Sequence, residues 1–243
     1  MPKPRQGSLA YDAFSANDPD RIAMNNSSFP DAAKTWNERF ATSEFVFGTE
    51  PNAWLASHRN LLVAGRRALC VADGEGRNSV WLAREKLKVE AFDISPVGVA
   101  KAKRLAEEAG VEVAFHVSDC DAWQFETDAC DYVVAIFIQF ADPTMRARLF
   151  SNMVRTLKPG GLLLLQGYTP KQLQYKTGGP PYVENLYTEE LLRSSFSELE
   201  ILELQSYEAP IEEGARHAGM SALIGMVGRK KAAIVGKGPA QAK

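Results

Sequence analysis

Two glycines, Gly74 and Gly76, share a short loop with the acids Asp73 and Glu75, and Arg77, Asn78 and Ser79 follow. Glycine in such a loop allows positive φ and lets a backbone approach a ligand where a Cβ would intrude. The apolar run Ala68 to Ala72 precedes the loop and reads as a buried strand; Val80, Trp81, Leu82 and Ala83 follow it in a helical pattern. Strand, glycine turn and helix start is how an α/β sheet presents free N–H groups to a nucleotide-like ligand. The next alternating run, Lys88 to Asp93, ends in an acid. Asp93 falls about twenty residues beyond the turn, where a carboxylate can take two ribose hydroxyl protons. Asp93 could instead cap the helix that starts near Pro96, but Ser95 can do that as well.

A glycine turn followed by an acid fits either a dinucleotide or S-adenosylmethionine. Three features favour the second. Ser79 stands where a third glycine would complete the dinucleotide fingerprint. The unit begins well inside the chain, after an aromatic-rich stretch. A third strand, Val111 to Val117, ends in Ser118-Asp119-Cys120, whose short side chains can accept from an adenine amine.

With these residues the chain resembles the class I S-adenosylmethionine-dependent methyltransferases, and among them the tellurite-resistance-type and thiopurine-methyltransferase-like enzymes. The matching stretches are Ala72 to Asn78, Asp93-Ile94-Ser95, Asp119-Cys120 and Leu157 to Gly161. Outside the core, Trp36 to Phe40, Phe45 to Gly48, Tyr168 to Pro170 and Gly178 to Pro181 also match that branch. The resemblance covers roughly residues 33–230. Two positions depart from the pattern: Ala72 stands for the usual first glycine and Cys70 for the usual acid on the first strand. Weaker or altered cofactor binding is the expected consequence.

The resemblance implies S-adenosylmethionine as cofactor and S-adenosylhomocysteine as product. Ala72, Asp73, Gly74, Gly76, Arg77 and Asn78 would flank the methionine part. Asp93, with Ile94 and Ser95, would take the ribose, and Asp119 and Cys120 the adenine. Ile136, Phe137 and Gln139 would end the fourth strand facing the sulfonium. Trp36 and Phe40, four apart on one helix face, would form part of a lid. A soft anion such as a thiolate, selenide or reduced tellurium species would need no dedicated base. For a harder acceptor, His217 and Tyr168 are the candidate catalytic residues. Tyr175 and Tyr187 are further candidates for the pocket wall, and Arg216 for holding an anionic acceptor. The alternatives are a nicotinamide-dependent oxidoreductase and a non-catalytic protein that binds S-adenosylmethionine.

The whole-chain charge is −2, from 28 basic and 30 acidic residues. That balance gives no support to nucleic acid or an anionic membrane as partner. A small-molecule acceptor is the expected partner, and oligomeric state is not readable. Three cysteines without Cys-x-x-Cys spacing and three scattered histidines suggest neither a disulfide framework nor a metal site. No apolar run approaches the ~20 residues of a membrane span, so a cytoplasmic location is expected.

The expected fold is α/β: a doubly wound, Rossmann-like, mostly parallel sheet of seven strands, with an antiparallel strand at its C-terminal edge and helices on both faces. Residues 1–30 read as a disordered or loosely docked arm, 31–230 as one domain and 231–243 as a disordered tail. Within the domain, 31–66 form lid helices and 67–230 the core. Strands are expected at 68–72, 89–93, 111–117, 131–138, 162–167, 199–208 and 221–229. Between them, 168–187 is rich in Gly, Pro and Tyr with no clear element, and a loop of that length is usually functional.

Overall fold

The structure, a computed structural model, describes residues 29–214 and 218–232. The arm up to residue 28, the tail from 233 and the segment 215–217 lie outside the described residues. Helix α1 (Phe29–Phe40) and the short α2 (Ala53–Ser57) form the N-terminal helical layer. Asn52 caps α2 by accepting from the Leu55 N–H. Then strand and helix alternate: β1 (Arg67–Val71), α3 (Arg77–Arg84), β2 (Lys88–Asp93), α4 (Pro96–Ala109), β3 (Val113–Val117), β4 (Cys130–Ile136), α5 (Pro143–Thr156) and β5 (Leu157–Tyr168). Ser95 caps α4 with Pro96 in its first turn, and Gly110 ends it in a left-handed conformation at φ 64°. Asp142 caps α5 in the same way. After α6 (Gln172–Tyr175) and α7 (Glu189–Ser195), a hairpin of β6 (Leu199–Glu212) and β7 (Ala218–Lys230) closes the domain.

The strand order is β3-β2-β1-β4-β5-β7-β6. Neighbours among β1 to β5 are parallel, and β7 runs antiparallel to both β5 and β6. The seven-stranded, doubly wound expectation is met. Strand order reverses between β1 and β4, which places the ligand crevice beyond their carboxyl ends.

Side-chain alternation divides the core. Leu69, Val71, Val133, Ala135, Leu163 and Leu165 face α5 and α7. Ala68, Cys70, Tyr132, Val134 and Leu164 face α2 and α3. β4 is buried along almost its whole length, as a strand covered on both faces should be.

The outer strands run longer than their apolar runs suggest. β5 begins at Leu157, so the Lys-Pro-Gly-Gly stretch lies within it, with a register shift on the β4 side. β7 pairs with β5 from Leu223 to Arg229, whereas Ala218 to Ala222 pair with β6 alone. The hairpin therefore overhangs the carboxyl edge of the sheet. The stretch 168–187 is not featureless: it holds α6 and a one-turn 3-10 helix, Val183–Asn185.

Candidate cofactor and acceptor site

The glycine loop carries the backbone that the sequence demands. Ala72, Gly74 and Gly76 have φ of 49°, 61° and 90°. Each glycine has its own reason. A Cβ on Gly76 would come within 2.6 Å of the Ala102 Cβ, so that glycine lets α3 and α4 pack closely. A Cβ on Gly74 would touch the Phe40 ring at 3.4 Å. Ala72 has no such exemption, and Phe137, at the end of the adjacent β4, has φ 56° as well. Two non-glycine residues with positive φ thus stand at neighbouring strand ends, at the switch point.

Asp93 ends β2 beneath this loop. Its Oδ2 accepts from the Gly74 N–H at 2.8 Å and its Oδ1 from the Ser95 N–H at 2.8 Å. The carboxylate is thus fixed in orientation, and each oxygen keeps a lone pair. Burial pushes its pKa up to about 6 against those two hydrogen bonds, and Glu75 adds to the rise. Asp73 accepts from Ser79 Oγ. Burial raises its pKa to about 7; the Ser79 bond and Arg77 lower it, while Asp93 raises it. Two desolvated acids converging on one glycine loop suit a ligand that brings hydroxyl donors and a positive charge.

Phe40 is wedged between Gly74 and Gly98 and is 1% exposed. Trp36 stacks on it with centroids 5.4 Å apart. Phe40 thus packs against the glycine loop, and Trp36 reaches it only through Phe40. Asn37 Oδ1 accepts from Ser95 Oγ at 2.6 Å, tying α1 to the turn after β2. Behind them Lys101 donates to the carbonyls of Thr42 and Glu44 at 3.1 and 2.7 Å and pairs with Glu75. Glu75 Oε2 in turn accepts from the Val46 N–H at 2.8 Å. Glu75 is thus not a solvated loop acid: it clamps the segment after α1 onto the glycine loop.

Arg77 and Asn78 open α3, and both side chains are committed. Arg77 Nη2 donates to Glu213 Oε2 at 2.7 Å, and Asn78 Oδ1 accepts from the Asn52 N–H at 2.9 Å. Asp119 Oδ1 accepts from the N–H groups of Asp121 and Ala122 at 2.6 and 2.7 Å, so one oxygen shapes the turn after β3. Cys120 is buried, and burial pushes its thiol pKa well up. Cys70 is equally buried, an apolar residue in β1 with its thiol pKa raised by burial. Ile94 lies in the turn after Asp93, and Ile136 is half-buried at the end of β4.

Gln139 has a different part from the expected one. Its Nε2 donates to the Tyr168 and Asn185 carbonyls at 2.9 and 3.2 Å, and its Oε1 accepts from the Tyr168 N–H at 2.6 Å. The side-chain amide acts as a strand partner for the end of β5, so it is spent on the protein. Tyr168 itself is buried, with its ring stacked on Phe137 at 4.7 Å and covered by the Gly179 backbone. Burial, then Glu213, push its phenol pKa upward. That favours a hydrogen-bonding phenol over a base. Tyr187 is fully buried in the core beside Phe150, which removes it as a pocket wall, and the Tyr175 hydroxyl bonds Glu208 at the surface. His217 and Arg216 lie outside the described residues.

Glu213, Asn52, Gln166 and Tyr207 form the part that sequence reading missed. Glu213 Oε1 accepts from Asn52 Nδ2 at 2.9 Å and from the Ala53 N–H at 3.1 Å. Asn52 Nδ2 also reaches Gln166 Oε1 at 2.6 Å, and Gln166 Nε2 reaches the Tyr207 hydroxyl at 2.6 Å. One signal was present: Gln166 follows directly on four leucines, and a polar residue in a buried strand needs partners. Among the described residues no group of three or more His, Cys, Asp or Glu could hold a metal ion, and no helix is long and apolar enough to cross a membrane.

Comparison with known proteins agrees with this geometry. Residues 68–161 match the family model described as a methyltransferase domain. A tRNA N(3)-methylcytidine methyltransferase of Drosophila melanogaster is 31% identical over 51% of this chain and 44% of its own length. A ubiquinone biosynthesis O-methyltransferase of Xanthomonas euvesicatoria is 33% identical over 52% of this chain and 54% of its own. The chain thus spans about half the length, or less, of these relatives. Among solved structures, the N-methyltransferase NodS of Bradyrhizobium japonicum, in complex with S-adenosylhomocysteine, superposes with a TM-score of 0.61 at 13% identity, over 82% of this chain and 97% of that one. The segment 68–161 is thus similar to methyltransferase domains.

Proposed function

We propose that the chain is an S-adenosylmethionine-dependent methyltransferase acting on a small molecule, with a soft nucleophile (a thiol, selenium or tellurium species) as the acceptor. The observation that carries the cofactor half is the Asp93 carboxylate, fixed by two backbone N–H groups under a loop of three positive-φ residues. Asp93 would hold the ribose hydroxyls, the turn at Asp119 and Cys120 the adenine edge, and Asp73 with the Ala72 to Gly76 backbone the methionine part. When bound, the cofactor supplies an electrophilic methyl group on a sulfonium. The protein then needs to align a nucleophile with that methyl and keep water away.

The acceptor half rests on the chemistry of the described groups at that edge. Tyr168 has its pKa raised, and Glu213 is taken up by Arg77 and Asn52, so both are poorly placed to remove a proton. A nucleophile that is already anionic at neutral pH suits such a site. Phe137, Tyr168, Leu186, Ile211 and Leu223 give its surroundings an apolar, aromatic character.

Calorimetric titration with S-adenosylhomocysteine, with NAD and Asp93→Ala as controls, tests the cofactor half. Saturable binding of S-adenosylhomocysteine alone, lost in the variant, is expected; NAD binding in its place would overturn the reading. For the acceptor half, S-adenosylhomocysteine release is measured with thiols, selenide and reduced tellurium against phenol and amine acceptors. Turnover confined to the oxygen or nitrogen acceptors would sink the soft-nucleophile assignment.

A further inference from the structure

Glu213 stands at the meeting point of three parts of the chain that are far apart in sequence. It projects from the end of β6, where the hairpin overhangs the sheet, and is 8% exposed. One oxygen accepts from Arg77, the first residue of α3, at 2.7 Å. The other accepts from the Asn52 side chain and the Ala53 N–H, at the start of α2. Asn52 closes the circle, because its own N–H donates to Asn78 Oδ1, one residue along from Arg77. The same Asn52 amide extends the chain of bonds through Gln166 to Tyr207 on β6. Next to Glu213, Gly214 has φ 78° and lies flat on the backbone of Val46 and Phe47, where any Cβ would collide.

A buried ion pair is costly unless its remaining bonding capacity is filled, and a network of this kind is intact or lost as a unit. Here it is filled, and each bond crosses between elements. The start of α3 is also the far end of the Ala72 to Gly76 loop, so a shift there is felt directly by Glu213. Resting on the cofactor reading above, we propose that Glu213 is a positioning residue. Through Arg77 and Asn52 it couples occupancy of the glycine loop to the placement of the β6–β7 hairpin over the acceptor side. Binding energy at one site thereby orders the wall of the other. By reciprocity, loosening the hairpin must weaken cofactor binding.

The test is amide hydrogen exchange on the full chain, with and without S-adenosylhomocysteine, for wild type and Glu213→Gln, alongside calorimetry. In wild type the ligand should slow exchange at 49–55, 207–212 and 218–222 as well as in the glycine loop. In E213Q it should still bind, about tenfold more weakly, with the glycine loop protected and the hairpin no longer responding. A role confined to stability would lower the melting temperature yet leave the ligand-dependent hairpin response in place, and that result overturns the proposal. Wild type that binds S-adenosylhomocysteine but protects only residues 72–78 and 93–98 overturns the coupling and leaves the cofactor reading standing; wild type that does not bind overturns both. Should E213Q not fold, Glu213→Asp keeps the charge and shortens the reach. Reduced hairpin protection in E213D supports the coupling, and unchanged protection refutes it.

Discussion

At the scale of single residues, the site is marked by conformations and charges that cost stability. Ala72 sits at φ 49°, where an L side chain is disfavoured by about 1 kcal/mol. Ala72→Gly removes that strain but adds freedom to the unfolded chain, so its stability should stay within about 1 kcal/mol of wild type. A branched side chain has no such balance. Ala72→Val should lose about 2 kcal/mol or more in denaturant unfolding, with weaker S-adenosylhomocysteine binding. Val tolerated as well as Gly would show that the loop is not held at positive φ. The acids behave likewise. Asp73 and Asp93 have folded pKa values of about 7 and about 6, above the ordinary 3.8, chiefly through burial. Between those limits the native state holds more protons than the unfolded chain, so their contribution to stability falls as pH rises from about 4 to about 7. Asp73→Asn should therefore gain in melting temperature on wild type across that window. A difference that stays constant with pH would show that Asp73 is not a desolvated acid.

At the scale of elements, the question is what holds α1 and its following loop on the core. Lys101 is the pin: it reaches three carbonyls of residues 40–44 and the Glu75 carboxylate. Lys101→Met keeps the stem but leaves Glu75 buried without its cation, a change worth about 3 kcal/mol. The expected outcome is a lower melting temperature, protease cutting within 41–48, and weaker S-adenosylhomocysteine binding, since Phe40 backs Gly74. Wild-type resistance to protease would remove Lys101 as the pin. The sequence makes α4 legible, since Ser95, Pro96 and Gly110 are local stop and start signals. Gly74-x-Gly76 and Asp93 are legible for the same reason: turn chemistry and strand ends are written within a few residues. Lys101 and Glu75 were not, because their partners lie far away along the chain and charged residues on a helix or loop usually face solvent. Gln139 shows the limit from the other side. Its need for a partner was readable, but the partner, the backbone of Tyr168, is set by how β4 and β5 meet. The long outer strands escaped for a similar reason, as β7 is extended past the sheet by pairing with β6 alone.

At the scale of the whole molecule, one sheet runs from β1 to β7, and the N-terminal layer is bonded to it at several points. Asn37 meets Ser95, Glu75 meets Val46, and Asn52 meets Asn78, Gln166 and Glu213. A lid that was an independent unit would lack such buried ties, and its melting would separate from that of the core. Here the layer and the core should unfold as one cooperative transition, with calorimetric and van't Hoff enthalpies in agreement. Ligand linkage then acts on all of it. S-adenosylhomocysteine at a hundredfold its dissociation constant stabilises the folded state by about 2.7 kcal/mol. For a domain of this size that is a rise of about 5–10 °C in melting temperature, with NAD giving none. The transition should move as a single peak. A peak that splits on adding ligand, one part shifting and the other not, would show that the N-terminal layer is a separate unit and that the cofactor reports on only one of the two.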